Sequence, residues 1–287
     1  MKPKNIFFSL IILTLLFSCT ERVDFELDEA GEARLVVFGE ITNDTMAHAV
    51  TLSKSAPYFY NQAPEMVSDA TLTLFDGVIT IFLTEDPARP GVYLTPTDYA
   101  GVVGRSYQLN ISDVDINEDG QAETYQAETE MRPTAPVHSV AVVYNASWDG
   151  WEVGVFSQDP PETEDYYLFK VYRNGVLYSD SINNYRAVDD RFFNGNEITG
   201  AFVQYFDEEK DEIVEKGDTI TLEMAGITKA YYDFIVGVNL ETSPRAPLFS
   251  GPPANIKGNI SNGALGFFAV MEVERGSTVY NGAVVND

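Results

Sequence analysis

The nine-residue stretch 115–123 places oxygen-bearing side chains at the spacing of a calcium loop. The candidate ligands are Asp115, Asn117, Asp119, Gln121 and Glu123. Such loops take side-chain oxygens from positions 1, 3 and 5, a backbone carbonyl from position 7, and a glycine at position 6 for the sharp turn. Gly120 supplies the glycine, but Gln126 stands at position 12 in place of glutamate, with Glu128 two residues further on. The stretch predicts either a weak structural calcium site or an acidic hairpin loop that binds no ion.

Groups for nucleophilic or acid–base catalysis are scarce. The chain has two histidines, His48 and His138, and a single cysteine, Cys19. A Ser-His-Asp triad needs an imidazole beside the nucleophile, and no nucleophile-elbow motif surrounds any serine. We interpret both histidines as surface or half-buried side chains and predict no enzymatic activity, although a pair of carboxylates for glycoside hydrolysis could be drawn from 44 acidic residues.

The net charge of the chain limits the kinds of molecule that it can bind. The chain carries 18 lysines and arginines against 44 aspartates and glutamates, a formal net charge of −26. Binding to nucleic acid requires basic side chains that neutralise phosphates, and anionic lipid headgroups likewise attract basic segments. The composition therefore excludes nucleic acid and predicts partners that are neutral, cationic or metal ions.

The first 18 residues predict an export leader. Two lysines precede the apolar run 6–17, which is shorter than the roughly 20 residues that span a bilayer. Ser18 and Cys19 follow it, and a lone cysteine in this position resembles a bacterial lipobox, whose thiol is acylated before the leader is cleaved. We therefore expect residues 1–18 to be a lipoprotein signal peptide and Cys19 to anchor the chain in a membrane.

The segment 19–33 is rich in aspartate and glutamate, with Arg22 as its single basic residue. A run of this kind is typical of a solvated tether. It also resembles the acidic signal that directs lipoproteins of the Bacteroidota to the cell surface. Both interpretations place a folded domain beyond the anchor.

From residue 34 onward, short β-branched and aromatic runs alternate with turn residues, which predicts a mainly β fold in two sandwich-like halves. The half 34–131 is of the size of an immunoglobulin-like or transthyretin-like sandwich. Prolines in the stretch 131–136 predict a linker. The half 137–287 is β-rich with one amphipathic helix, predicted from apolar residues at helical spacing: Ile227, Tyr231, Phe234, Ile235 and Val238.

Two dipeptides predict tight hairpins. Asp76-Gly77 and Asn174-Gly175 each lie between two strand-like runs. Type I′ turns need positive φ at both central residues, a conformation that Asn, Asp and Gly tolerate.

The stretch 249–268, FSGPPANIKGNISNGALGFF, resembles the C-terminal signature of the Bacteroidota lipoproteins catalogued as domain of unknown function 4249. Residues 35–41, 50–59 and 91–94 fit the same family, so the resemblance covers essentially the whole chain beyond the leader. It implies an accessory protein of the cell envelope, a member of a group often encoded beside TonB-dependent outer-membrane transporters. It implies no catalytic residues.

The same stretch has a physical interpretation. Its paired prolines enforce extended backbone, and its glycines permit positive φ or close approach of another backbone. These features predict either a rigid loop that feeds the last strand into the core or the rim of a binding site.

Taken together, these features predict a lipid-anchored outer-membrane protein, on the periplasmic or the surface face, that assists a TonB-dependent transporter in nutrient capture. One alternative is a surface hydrolase that acts on glycan or peptide. Another is a calcium-dependent adhesion module. The residues that contact a ligand are not indicated.

Overall fold

The computed structural model describes residues 33–56, 63–178, 181–242 and 256–286. The predicted leader, Cys19 and the acidic tether up to Glu32 lie outside the described residues. The described elements are β1 (Leu35–Thr42), β2 (Ala49–Lys54), β3 (Thr71–Phe75), β4 (Thr80–Glu85), β5 (Val92–Leu94), β6 (Ser106–Val114), β7 (Glu123–Glu130), β8 (Val137–Asn145), β9 (Gly150–Gln158), β10 (Tyr166–Arg173), β11 (Val176–Leu177), β12 (Arg186–Asp189), β13 (Glu197–Asp207), β14 (Thr219–Gly226), α1 (Lys229–Thr242), β15 (Leu265–Val279) and β16 (Val284–Val285). Short 3-10 turns occur at Ile182–Asn184 and Glu208–Lys210.

One long mixed sheet contains strands from both predicted halves. Its order is β11-β10-β14-β15-β1-β2-β5-β4-β3-β6-β7, and β12 pairs with β10 at the side of this path. A second sheet has the order β13-β9-β8-β16. Strand β15 pairs antiparallel with β14 and parallel with β1, so it connects the half 34–131 to the half 137–287. The predicted linker 131–136 joins β7 to β8 outside both strands.

Both faces of strand β15 are buried, and each face belongs to a different hydrophobic core. Phe268 and Val270 belong to the core of the N-terminal half, whereas Phe267, Ala269 and Met271 pack toward the helix. A strand buried on both faces reads as a continuous apolar run, which is what the sequence shows here.

The C-terminal half is layered. Valines of β8 and β9 pack against apolar side chains of β10 and β14, such as Phe169 and Leu222, in a sheet-on-sheet core. Helix α1 covers the opposite face of β10, β14 and β15 with Tyr231, Phe234 and Ile235. The predicted helix is confirmed.

The N-terminal half encloses a core of its own. Alternate residues of β1, including Leu35 and Val37, are fully buried and meet Leu72, Leu74 and Leu109 from β3 and β6. The mainly β fold with one amphipathic helix is therefore confirmed by the described residues, and sheets pack face to face in the C-terminal half.

The two predicted hairpin turns differ. At Asn174-Gly175 both residues have positive φ, 51° and 80°, and Arg173 pairs with Val176, so the two-residue type I′ turn is confirmed. At Asp76-Gly77 the hairpin is present but the predicted turn is wrong. Phe75 pairs with Thr80, so residues 76–79 form the loop, and within it Gly77 has positive φ but Asp76 does not.

The physical reason is the Asp76 side chain. Its Oδ1 accepts the backbone N–H groups of Val78 at 2.9 Å and Ile79 at 2.8 Å, and its Oδ2 accepts a bond from Arg105 at 2.7 Å. An aspartate that captures backbone donors in this way offers the chain an alternative to the tight turn.

Candidate functional site

The predicted calcium loop connects β6 to β7 and is largely exposed. Asp115 accepts the backbone N–H groups of Asp119 at 3.2 Å and Gly120 at 2.8 Å. Asn117 accepts the Asp119 N–H at 3.2 Å, and Asp119 accepts the Gln121 N–H at 2.8 Å. Gly120 has φ 81°, so the sharp turn that the motif needs at its sixth position is present.

The second half of the loop does not complete the pattern. Glu123 accepts a hydrogen bond from the hydroxyl of Tyr125. Gln126, at position 12, lies in β7 opposite Asn110 and is exposed. Within the described residues, the carboxylates of this loop do not form a converging group of three. The structure thus brings together Asp115, Asn117, Asp119 and the backbone of Gln121, and calcium binding by the five predicted residues stays a prediction.

A second acidic region was not predicted. Asp159, Asp165 and Asp190 place carboxylate oxygens within 4.8 Å of one another, and the three residues are 0%, 5% and 1% exposed. We call them the buried aspartate cluster. Asp159 follows β9, Asp165 precedes β10 and Asp190 follows β12. Because Tyr166 pairs with Asp189, the register of β10 and β12 sets Asp165 beside Asp190.

Asp159 is held by two donors. The hydroxyl of Tyr167 donates to one oxygen at 2.6 Å, and the backbone N–H of Gly195 donates to the other at 2.9 Å. Burial, together with this bond to Asp159, raises the pKa of the Tyr167 hydroxyl, which therefore remains a donor at neutral pH.

The other two carboxylates are held by different groups. Asp165 accepts the Thr163 hydroxyl at 2.5 Å and lies 3.7 Å from Arg132, and Asp190 accepts the backbone N–H of Asp165 at 2.9 Å. Three carboxylates at this separation repel one another, and burial removes the water that would screen them. Their oxygens are the hard donors that calcium and magnesium take. Among the described residues, this is the group of acids best placed to hold a cation.

The sequence carried a weak signal for this cluster. Each aspartate lies at the end of a strand-like run, but the three are separated along the chain by other elements. Their meeting depends on the pairing of β10 with β12, which periodicity does not specify.

The histidines do not form a catalytic site. His138 is exposed, as predicted, but His48 is 4% exposed, so the prediction of a surface or half-buried side chain is wrong there. His48 precedes β2 and its ring contacts the backbone of Thr42 and Asp44. Burial lowers the pKa of His48, which favours the neutral ring.

A largely buried ion pair connects the two predicted halves. Glu40 of β1 accepts from Nζ of Lys170 at 2.5 Å and from the hydroxyl of Tyr231 at 2.7 Å. The Lys170 ammonium also lies 4.6 Å from the centre of the Tyr185 ring. Burial would lower the pKa of Lys170, but the charge of Glu40 outweighs it and raises that pKa above its usual value. The lysine therefore stays charged.

A pocket of about 530 Å³ opens where the sheet of the N-terminal half meets the start of α1. Its walls come from Phe75 at the end of β3, residues 106–108 of β6, residues 128–130 of β7, and Thr228 and Ala230. Asn259 and Phe267 complete it. The lining contains no histidine and no cysteine, but it includes the carboxylates of Glu128 and Glu130.

A family profile described as a domain of unknown function, DUF4249, matches residues 20–277. The chain belongs to the DUF4249 family. No curated protein matches the chain. The residues that the structure describes in this DUF4249 protein include no helix long and apolar enough to cross a membrane.

The C-terminal stretch that resembled the DUF4249 signature is described from residue 256 onward. Asn259 bridges this loop to β15, donating to the Phe268 carbonyl at 2.8 Å and accepting the Phe268 N–H at 2.9 Å. A Cβ on Gly266 would lie 2.0 Å from the carbonyl oxygen of Val37, so only glycine permits the parallel approach of β15 to β1. The described part of the stretch is thus a fixed loop that leads into the last strand, and it also contributes Asn259 to the pocket wall.

Proposed function

We propose that this DUF4249 protein is a lipid-anchored binding protein of the outer membrane, held by acylated Cys19, that assists a TonB-dependent transporter in nutrient capture. The apolar leader, the position of the lone cysteine and the acidic segment after it support the anchor. The family resemblance supports the transporter as partner.

The observation that carries the binding role is the pocket between the sheet and α1. Its volume of about 530 Å³ lies in the range of small-molecule sites, and its lining mixes aromatic rings with a few polar groups. Ser106, Thr129 and Thr228 contribute hydroxyl groups to its walls, and neither histidine does. A concave site with apolar walls and a few convergent polar groups suits the recognition of a small ligand.

The anchor is tested by metabolic labelling with radioactive palmitate and by membrane fractionation of cells that express the full chain. We expect wild type to incorporate label and to sediment with the outer membrane. Cys19→Ala should lose both properties, because no other thiol is present to be acylated. Ser18→Ala is the matched control, since alanine keeps a small residue before the cysteine and should leave labelling unchanged.

A wild-type protein that fractionates as soluble and carries no lipid would overturn the proposal. Label that persists in Cys19→Ala would place the lipid elsewhere.

A further inference from the structure

We infer that the outward surface of β4-β3-β6-β7, together with the pocket at its end, binds a neutral oligosaccharide. We call this surface the outer face; it lies opposite the core of the N-terminal half. The inference rests on the proposed binding function and names its ligand class.

The register of the strands sets polar and aromatic side chains in rows across the outer face. Residues that pair directly point to the same side of a sheet. One row reads Thr80, Phe75, Gln108 and Glu128 from β4 to β7. Phe75, Gln108 and Glu128 also line the pocket, so this row continues into it.

The neighbouring row has the same character. It reads Phe82, Thr73, Asn110 and Gln126. Phe82 is 68% exposed, a large apolar ring left in water beside amides and hydroxyls. Side-chain amides both donate and accept hydrogen bonds, and so do hydroxyls, which is the combination that sugar hydroxyls require.

The two phenylalanines supply the apolar part of the match. Phe75, 38% exposed, pairs with Thr80, and Phe82 lies two residues beyond on the same strand face, so the rings are diagonal neighbours roughly 7–8 Å apart at the backbone. The C–H faces of a pyranose ring pack on aromatic rings as other apolar surfaces do. Two rings at this spacing can therefore contact adjacent parts of one chain of sugars.

The charges of this region favour a neutral ligand. The two rows contain no lysine or arginine, so an anionic chain would find no counter-charge there. Glu128 accepts a hydrogen bond from Gln108 at 3.2 Å, and Glu130, at the pocket wall, lies 3.5 Å from Arg132. Arg132 offsets the charge of Glu130, and Glu128 is the single charged side chain among the eight residues of the two rows.

The test is binding of the purified lipoprotein, in detergent micelles, to a panel of oligosaccharides by isothermal titration calorimetry. The neutral probes are hexasaccharides of α- and β-linked glucose, xylose, mannose and galactose. Oligogalacturonate and chitosan oligomers serve as anionic and cationic probes. We expect at least one neutral probe to bind, and both charged probes to fail.

Variants locate the site. Phe82→Ala and Asn110→Ala should each weaken the binding by about tenfold or more, which corresponds to the loss of about 1.4 kcal/mol. Phe192→Ala is the matched control, because Phe192 is 92% exposed and lies in the turn after β12, away from the outer face. Its affinity should equal that of wild type.

The inference is overturned if no neutral probe binds, if a charged probe binds better, or if Phe82→Ala and Phe192→Ala behave alike. A protein that carries lipid but binds no sugar would contradict this inference and leave the anchor proposal standing. A protein that binds sugar but carries no lipid would contradict the anchor proposal and leave this inference standing.

Discussion

The calcium-type loop and the buried aspartate cluster are both acidic, but their carboxylates differ in exposure and in the groups that donate hydrogen bonds to them. Asp115, Asn117 and Asp119 face solvent and bond to backbone N–H groups within their own loop. Asp159 and Asp190 are buried and depend on donors from other elements, while buried Asp165 combines the nearby Thr163 hydroxyl with Arg132. A local motif can be read along the sequence, whereas a buried cluster is created by strand pairing. The same difference predicts that substitutions of buried acids cost stability and that substitutions of exposed ones cost little.

The largest effect is expected at Glu40, whose side chain is 18% exposed and whose partner Lys170 is buried. Glu40→Gln leaves the Lys170 ammonium buried without its counter-charge and should lower the free energy of unfolding by about 3–5 kcal/mol in urea titrations. Asp233→Asn is the control, since the Lys229–Asp233 pair is exposed on α1 and should contribute under about 0.5 kcal/mol. Equal losses of stability in the two variants would show that burial does not determine how much these ion pairs stabilise the fold.

Within the aspartate cluster, Asp159→Ala should lower the free energy of unfolding by about 2–4 kcal/mol. The substitution leaves the Tyr167 hydroxyl and the Gly195 N–H buried without their acceptor. Asp119→Ala in the exposed loop is the matched substitution and should change stability by under about 1 kcal/mol. If Asp119→Ala is the more damaging of the two, the contrast between the regions fails.

The two histidines, one buried and one exposed, allow the effect of burial to be tested through the pH dependence of stability. The pKa of His48 is lowered by burial, so the unfolded chain binds this proton more readily than the folded one. The stability that neutral His48 provides is present above the unfolded pKa of about 6.5 and is lost as the pH falls below it, with a slope of at most about 1.4 kcal/mol per pH unit. Thermal melts from about pH 7.5 to pH 5 should show this slope in wild type and in His138→Gln. His48→Gln should flatten it, and a slope left unchanged by His48→Gln would contradict the assignment.

Calcium should produce the smallest effect. A loop site with a millimolar Kd would raise the free energy of unfolding by about 0.6 kcal/mol at about 2 mM calcium. We expect Asp119→Ala to abolish the difference between melts in calcium and in EDTA. If the difference survives Asp119→Ala and disappears in Asp190→Asn, the loop prediction is wrong and the cation resides in the aspartate cluster.

The strands and the helix were easier to predict from the sequence than the pocket and the aspartate cluster. Alternation and helical spacing located the strands and α1, because each pattern is local and reflects which face is buried. The Asn174-Gly175 turn was predicted correctly for the same reason. The turn predicted at Asp76-Gly77 was wrong because the Asp76 carboxylate accepts hydrogen bonds from the backbone N–H groups of Val78 and Ile79. The pocket combines the end of β3 with β6, β7, α1 and Asn259, and the sequence does not state that these segments meet. Long-range pairing, above all β15 with β1, is what brings them together.

The central claim is that this protein works beside an outer-membrane transporter. The most direct test is an affinity purification of the protein, expressed from its full-length sequence, from detergent-solubilised envelopes, with the recovered proteins identified and quantified by mass spectrometry. The account predicts one TonB-dependent β-barrel at near-equal stoichiometry with the bait. Recovery of the bait alone, from cells in which the same protein is acylated, would contradict it.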